Sequence, residues 1–107
     1  MKESMFQRKL IEELKEKFPG IIVLKNDATY LQGIPDLTLL YFEKWAFLEI
    51  KNSEDAHRQP NQEYYIDKAN EMAFGDFVYP ENKDKVISRL NNYFNGIIWG
   101  GEINGME

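Results

Sequence analysis

At 107 residues, with 43% apolar and 14% aromatic side chains, the chain is sized for a single domain with a real core and is too apolar for a disordered one. It has no cysteine, which excludes disulfides and thiolate zinc sites and suits a reducing, cytoplasmic setting. A net charge of −5 weighs against a simple basic nucleic-acid binder, yet residues 1–51 carry eight Lys/Arg against eight Asp/Glu, so the acidic excess belongs to the second half.

Met1-Lys2-Glu3-Ser4-Met5 lacks a signal-peptide character, and no apolar run approaches a bilayer span, so no membrane partner is expected. Phe6, Leu10, Leu14 and Phe18 recur at i+4 and predict an amphipathic helix over 3–18, stopped by Pro19-Gly20. Residues 21–25 (Ile-Ile-Val-Leu-Lys) predict a buried strand. A loop, 26–33, leads to Gly33-Ile34-Pro35-Asp36 and a second strand over 36–42. Glu43-Lys44 is placed as a two-residue hairpin turn, with a third strand over 45–51. A polar loop over 52–58 precedes a second helix, 59–73, with Tyr65, Ala69, Met72 and Ala73 on its apolar face and Gly75 ending it. Phe77-Val78-Tyr79 predicts a short strand. Asn82 caps a third helix, 83–94, whose stripe is Val86, Ile87, Leu90 and Phe94. The expected architecture is α/β, order αβββαβα, a mixed sheet flanked by helices. The domain spans 1–107 with its core over 3–94. The tail over 95–107, with Ile97-Ile98-Trp99, is a candidate dimer or docking element.

The chemistry concentrates at 33–51. Glu49 and Lys51 are i and i+2 on a strand, hence on one face, about 6–7 Å apart. Ile50 points the opposite way. The hairpin brings Asp36 to the same end of the pair, near Lys51. Two carboxylates there form a hard-oxygen site suited to Mg²⁺, to which the Ile50 carbonyl can add a third oxygen. Lys51 is placed to hold a phosphate oxygen or to orient an attacking water. The plainer alternative is that Asp36 caps the turn after Pro35 while Glu49 and Lys51 form a surface ion pair.

Pro35-Asp36 … Glu49-Ile50-Lys51, in this strand order, resembles the PD-(D/E)xK nuclease superfamily, and more narrowly the small stand-alone VRR-NUC proteins, many of them viral. The resemblance runs from Glu3 to Leu90 and implies a restriction-endonuclease-like core. Gly33-Ile34-Pro35-Asp36-Leu37 matches that family's Gly-x-Pro-Asp-Leu, implying that Asp36 is a metal ligand. It implies Glu49 and the Ile50 carbonyl as further ligands and Lys51 as the catalytic lysine. Glu3-x-x-Phe6-Gln7 is similar to the family's start of helix one, implying that Glu3 completes the acidic site. Gln62 matches a family glutamine, although the usual Ser-x-x-Gln is here Gln59-Pro60-Asn61-Gln62.

Other candidates have bland readings beside the functional ones. Glu3 also suits a helix's first turn, and Glu12 or Glu13 compete with it as ligands. Gln62 positions DNA or Lys51, or is simply solvated. Lys25 guards an edge strand or contacts phosphate. Arg58 is a better phosphate contact than its neighbour His57, which is expected to be inert. Asn26-Asp27 shape a turn. Tyr64, Tyr65 and Trp99 suit packing better than base stacking, and Lys83, Lys85 and Arg89 are expected to be solvated.

The expectation is therefore a Mg²⁺-dependent endonuclease, with Mn²⁺ as a substitute, acting on DNA. The resemblance implies a structure-selective, Holliday-junction resolvase-like homodimer leaving 5′-phosphate and 3′-hydroxyl ends, cytoplasmic or in the host cytoplasm if viral. The alternatives are a flap or single-strand nuclease of recombination or repair, and a non-catalytic DNA-binding module that keeps the fold.

Overall fold

The computed structural model describes residues 2–96. The elements follow the expected order: α1 (Glu3–Lys17), β1 (Ile22–Lys25), β2 (Leu37–Tyr41), β3 (Lys44–Ile50), α2 (Pro60–Met72), β4 (Gly75–Val78) and α3 (Lys83–Phe94). They form one four-stranded sheet, β1-β2-β3-β4, with antiparallel β1·β2 and β2·β3 pairs and a parallel β3·β4 pair. The parallel step follows from α2, which carries the chain back along the sheet between β3 and β4. Among the described residues, no helix is long and apolar enough to cross a membrane.

Strand alternation divides the sheet into two faces. Leu37, Leu39, Ala46, Leu48, Ile50 and Val78 form the main core with Phe6, Leu10 and Leu14 of α1 and Val86, Ile87, Leu90 and Phe94 of α3. Phe18, fully buried at the end of α1, meets Phe94 and Tyr41 edge-on at 5.3 and 5.6 Å. The opposite face is only half covered. There α2 lies over β3 and β4 and buries Ile66 and Ala69.

That half-cover corrects several sequence expectations. β1 is an exposed edge strand rather than a buried one: Ile22 is 54% and Leu24 45% exposed, because α2 does not extend over it. An apolar β-branched run looks the same in either position. On α2, Ile66 rather than Met72 faces the sheet, and Met72 is 68% exposed. Gly75 opens β4 instead of ending α2, and pairing begins with Phe47 N–H to the Phe74 carbonyl at 2.9 Å. Asn82 precedes α3 but does not cap it. Its side chain turns back, accepting from Tyr79 N–H and donating to the Phe77 carbonyl. Lys83 is partly covered and paired with Glu13, while Arg89 stays largely exposed, as expected, and also pairs with Asp76.

The hairpin turn is one residue earlier than expected. Tyr41 pairs with Lys44, leaving Phe42-Glu43 as the turn. Phe42 takes a left-handed φ of 57° and is 87% exposed, its ring resting edge-on against Tyr41. Lys44 is held by the Tyr93 carbonyl at 2.7 Å, which fixes it in β3 rather than in the turn. Inward and outward faces are unchanged, but every cross-strand partner moves by two. The tail residues 97–107, including Ile97-Ile98-Trp99, lie outside the described residues.

α2 approaches β4 so closely that a Cβ at Gly75 would stand 2.7 Å from Ala69 Cβ and 2.9 Å from the Ile66 carbonyl oxygen. Gly75→Ala should therefore destabilise the fold by about 1–3 kcal/mol, read as a lower urea midpoint. An unchanged midpoint would contradict this packing.

Candidate active site

The register puts Asp36 opposite Glu49, one step beyond the Leu37–Leu48 pair, and not opposite Lys51 as a turn at Glu43-Lys44 requires. The two acids lock the open end of the hairpin reciprocally. Asp36 N–H donates to Glu49 Oε1 at 3.1 Å, and Ile50 N–H donates to Asp36 Oδ2 at 2.8 Å. A residue's N–H and C=O point to the same side of an extended strand, so the Ile50 carbonyl also faces the Asp36 side. The next amide alternates: Lys51 N–H donates to the Val78 carbonyl of β4 at 2.9 Å.

Asn26 holds the start of β2 from the other side. Its N–H donates to the Asp36 carbonyl at 2.9 Å, and its Nδ2 donates to the Pro35 carbonyl at 2.8 Å and to Thr38 Oγ1 at 2.9 Å. Sequence reading assigned Asn26 to a turn. Its signal lay in its place, a carboxamide directly after an edge strand, where the next backbone group needs a partner.

Glu49 is the one charged side chain buried among the described residues, 4% exposed. Its second oxygen, Oε2, accepts from Gln62 Nε2 at 2.8 Å. Gln62 Oε1 accepts from Lys51 Nζ at 2.9 Å and from Gln59 N–H at 3.0 Å. Lys51 Nζ stands 3.8 Å from Glu49 Oε2. The first turn of α2 thus has a capping box, with Gln59 at the N-cap and Gln62 at the third helical position. Gln59 stands where Ser-x-x-Gln has its serine, and the Gln62 N–H donates to the Gln59 backbone carbonyl at 3.0 Å. Gln62, half-buried, ties the helix end to both the acid and the lysine.

The electrostatics are those of crowded acids. Burial pushes the Glu49 carboxyl up to about 8, and the neighbouring Asp36 charge pushes the same way, against Lys51 and the Asp36 N–H. Glu3, exposed at the start of α1, is also raised, by partial desolvation and then by Asp36, with Lys51 opposing. Its carboxyl therefore feels the same cluster. Glu13 is drawn to Lys83 at 2.7 Å in a separate groove between α1 and α3, which leaves Glu3 the better placed of the two.

Arg58 lies with its guanidinium carbon 4.0 Å from the centre of the Phe77 ring, and Phe77 pairs with Glu49 across β3 and β4. Lys25 ends the edge strand opposite Leu37, beside Asp36 in the adjoining register position. His57 makes no side-chain hydrogen bond among the described residues. Tyr64 and Tyr65 pack edge-on against each other at 5.2 Å.

Among the described residues, no three acidic or imidazole side chains form a closed metal cage. The hard carboxylate oxygens of Asp36, Glu49 and Glu3 are nevertheless of the donor type that a divalent cation such as Mg²⁺ takes. Burial first and the neighbouring Asp36 charge second raise Glu3 and Glu49, one lysine stands against three acids, and each carboxylate oxygen held by a protein donor keeps a further lone pair.

No protein-family model and no curated protein matches the chain. A solved structure described as a VRR_NUC domain protein is similar over 99% of this chain and 95% of its own, with a TM-score of 0.64 and 22% identity. The fold is VRR-NUC-like. In this fold the acids, Lys51 and Gln62 gather at the open end of the β2–β3 hairpin.

Because Glu49 is raised on folding, the metal-free fold binds a proton that the unfolded chain releases between pH about 4.5 and about 8. The associated stability is fully present below the lower value and lost as pH rises through the upper one. Urea midpoints in EDTA should fall between pH 6 and pH 9, and Glu49→Gln should flatten that fall. A pH-independent wild-type midpoint would contradict the burial argument.

Proposed function

We propose that the protein is a Mg²⁺-dependent endonuclease that hydrolyses DNA phosphodiesters. The observation carrying this reading is the linked Asp36–Glu49–Gln62–Lys51 arrangement at one hairpin end, which places a carboxylate where a neutral or apolar residue could also close the fold. Removing a charge from water is costly, and an apolar residue opposite Asp36 would avoid that cost.

In this reading Asp36, Glu49, Glu3 and the Ile50 carbonyl hold the metal. When bound, the metal supplies a water of lowered pKa and neutralises charge on the phosphate. Lys51 orients the water or holds a phosphate oxygen as charge builds there. Gln62 keeps the lysine aimed and, through the capping box, keeps the helix end still. Arg58 and Lys25 contact flanking phosphates, replacing by local charge what the acidic chain lacks overall. Mn²⁺ substitutes for Mg²⁺, and the products carry 5′-phosphate and 3′-hydroxyl ends.

In this reading the domain selects DNA by shape rather than by sequence. Branched DNA, cut by two copies related by a two-fold axis, is the first expected substrate, with flaps or single strands as the second. Sedimentation at micromolar concentration should show a dimer; a strict monomer would remove the two-site junction reading.

The decisive assay uses labelled four-way junction, flap, single-stranded and duplex DNA with Mg²⁺ or Mn²⁺. Lys51→Ala should lower the rate by about 10²–10³-fold, and Asp36→Ala should abolish Mg²⁺ binding in calorimetry. Equal cleavage by wild type and Lys51→Ala, or no cleavage of any substrate, would overturn the assignment. DNA binding without Mg²⁺ binding would favour the non-catalytic module.

A further inference from the structure

Between the loop after β1 and the first turn of α2 lies a groove of about 340 Å³, lined by Ala28, Gln32, Gly33, Gln59, Asn61 and Gln62. Its walls are fixed. Asp27 Oδ1 accepts from Thr29 N–H at 2.9 Å and from Thr29 Oγ1 at 2.6 Å, and Ile34 N–H donates to the Leu31 carbonyl at 3.2 Å. Gly33 has a φ of +88° and lies so close to α2 that a Cβ there would stand 2.5 Å from Asn61 Cγ. The loop therefore rests directly against the Asn61 side chain.

The lining is unusual in its chemistry. Four of its six residues are carboxamides, and none is charged. Gln59 and Gln62 are committed to the capping box, and Gln62 also to Glu49 and Lys51. Gln32 and Asn61 are different: among the described residues, neither amide makes a side-chain hydrogen bond. A phosphate would call for cations, and an apolar ligand for an apolar lining. Neutral groups that each present a donor and an acceptor in one plane match the edge of a nucleobase. The groove shares Gln62 with the Lys51–Glu49 cluster, so its occupant adjoins whatever phosphate that cluster engages.

We propose that this groove receives an unpaired nucleobase next to the scissile phosphate, with Asn61 and Gln32 reading its edge. The base must be out of the duplex, because pairing would occupy the Watson–Crick edge these amides address. This rests on the nuclease reading and narrows its substrates to DNA with an unstacked nucleotide at the cut: flaps, single strands or strained branch points.

Two measurements test it. The first needs no catalysis. In ¹⁵N-labelled protein, the Gln32 and Asn61 side-chain amide signals should shift when a deoxyadenosine dinucleotide is added, and should not shift with 2-deoxyribose 5-phosphate. The second is single-turnover cleavage of a flap carrying either a base or an abasic residue beside the cut. Wild type should cut the abasic substrate about 10-fold more slowly. Asn61→Ala and the exposed-loop variant Gln32→Ala should each lose about 10-fold on the base-containing flap and nothing on the abasic one. Amide shifts without cleavage of any substrate would uphold the nucleobase site and sink the nuclease reading. Cleavage that ignores the abasic change, or equal shifts with the sugar phosphate, would overturn the groove proposal alone.

Discussion

The structure turns on a buried carboxylate. Glu49 lies within a hydrogen-bonded sheet, opposite another acid, with its two oxygens divided between the Asp36 amide and the Gln62 amide. Left unpartnered, such a group would cost several kcal/mol. Its partners come from two separate places, the start of β2 and the first turn of α2. The acid is therefore also the joint where the hairpin, the parallel crossover and the second helix meet. Lys51 completes the joint through Gln62 more closely than through the acid itself, at 2.9 Å against 3.8 Å.

The layers around this joint are unequal. α1 and α3 seal one face of the sheet, while α2 covers only the half that contains β3 and β4. Glu49 falls under the covered half, which explains its burial. Asp36, one strand over, falls at the margin of the cover. That step is what separates a strongly desolvated acid from a partly solvated one within a single cross-strand pair. The loop after β1 reaches back over the margin and meets α2 at Gly33 and Asn61, so the site has a wall on the side where the helix stops.

Much of this was legible in the chain. The i+4 stripes of α1 and α3 are unambiguous, and the strand alternation of Glu49, Ile50 and Lys51 needs no tertiary knowledge. The Asp36–Glu49 meeting was legible only to within two residues. The turn depends on Phe42 accepting a left-handed conformation, which its aromatic, strand-like character argues against. The exposure of Ile22 and Leu24 was not legible, because composition cannot say how far a later helix reaches. Gln62 was hardest. Its place in a capping box was hidden by Gln59, which stands where serine or threonine is usual. Asn61 carried no pattern at all; only the closeness of Gly33 reveals it.

The helix that carries Glu3 begins without a side-chain cap: Lys2 sits at the N-cap in an extended conformation, and its side chain offers no acceptor to the first-turn amides. An uncapped end is held less firmly than a capped one, and Glu3 lies in that first turn. A ligand that captures the Glu3 carboxylate must therefore also order that turn, and the two equilibria become one by linkage. In the proposed metal-binding role, the order of the first turn of α1 would report what the neighbouring hairpin has bound. Lengthening the helix by a better cap would tighten ligand capture from a position that touches no ligand.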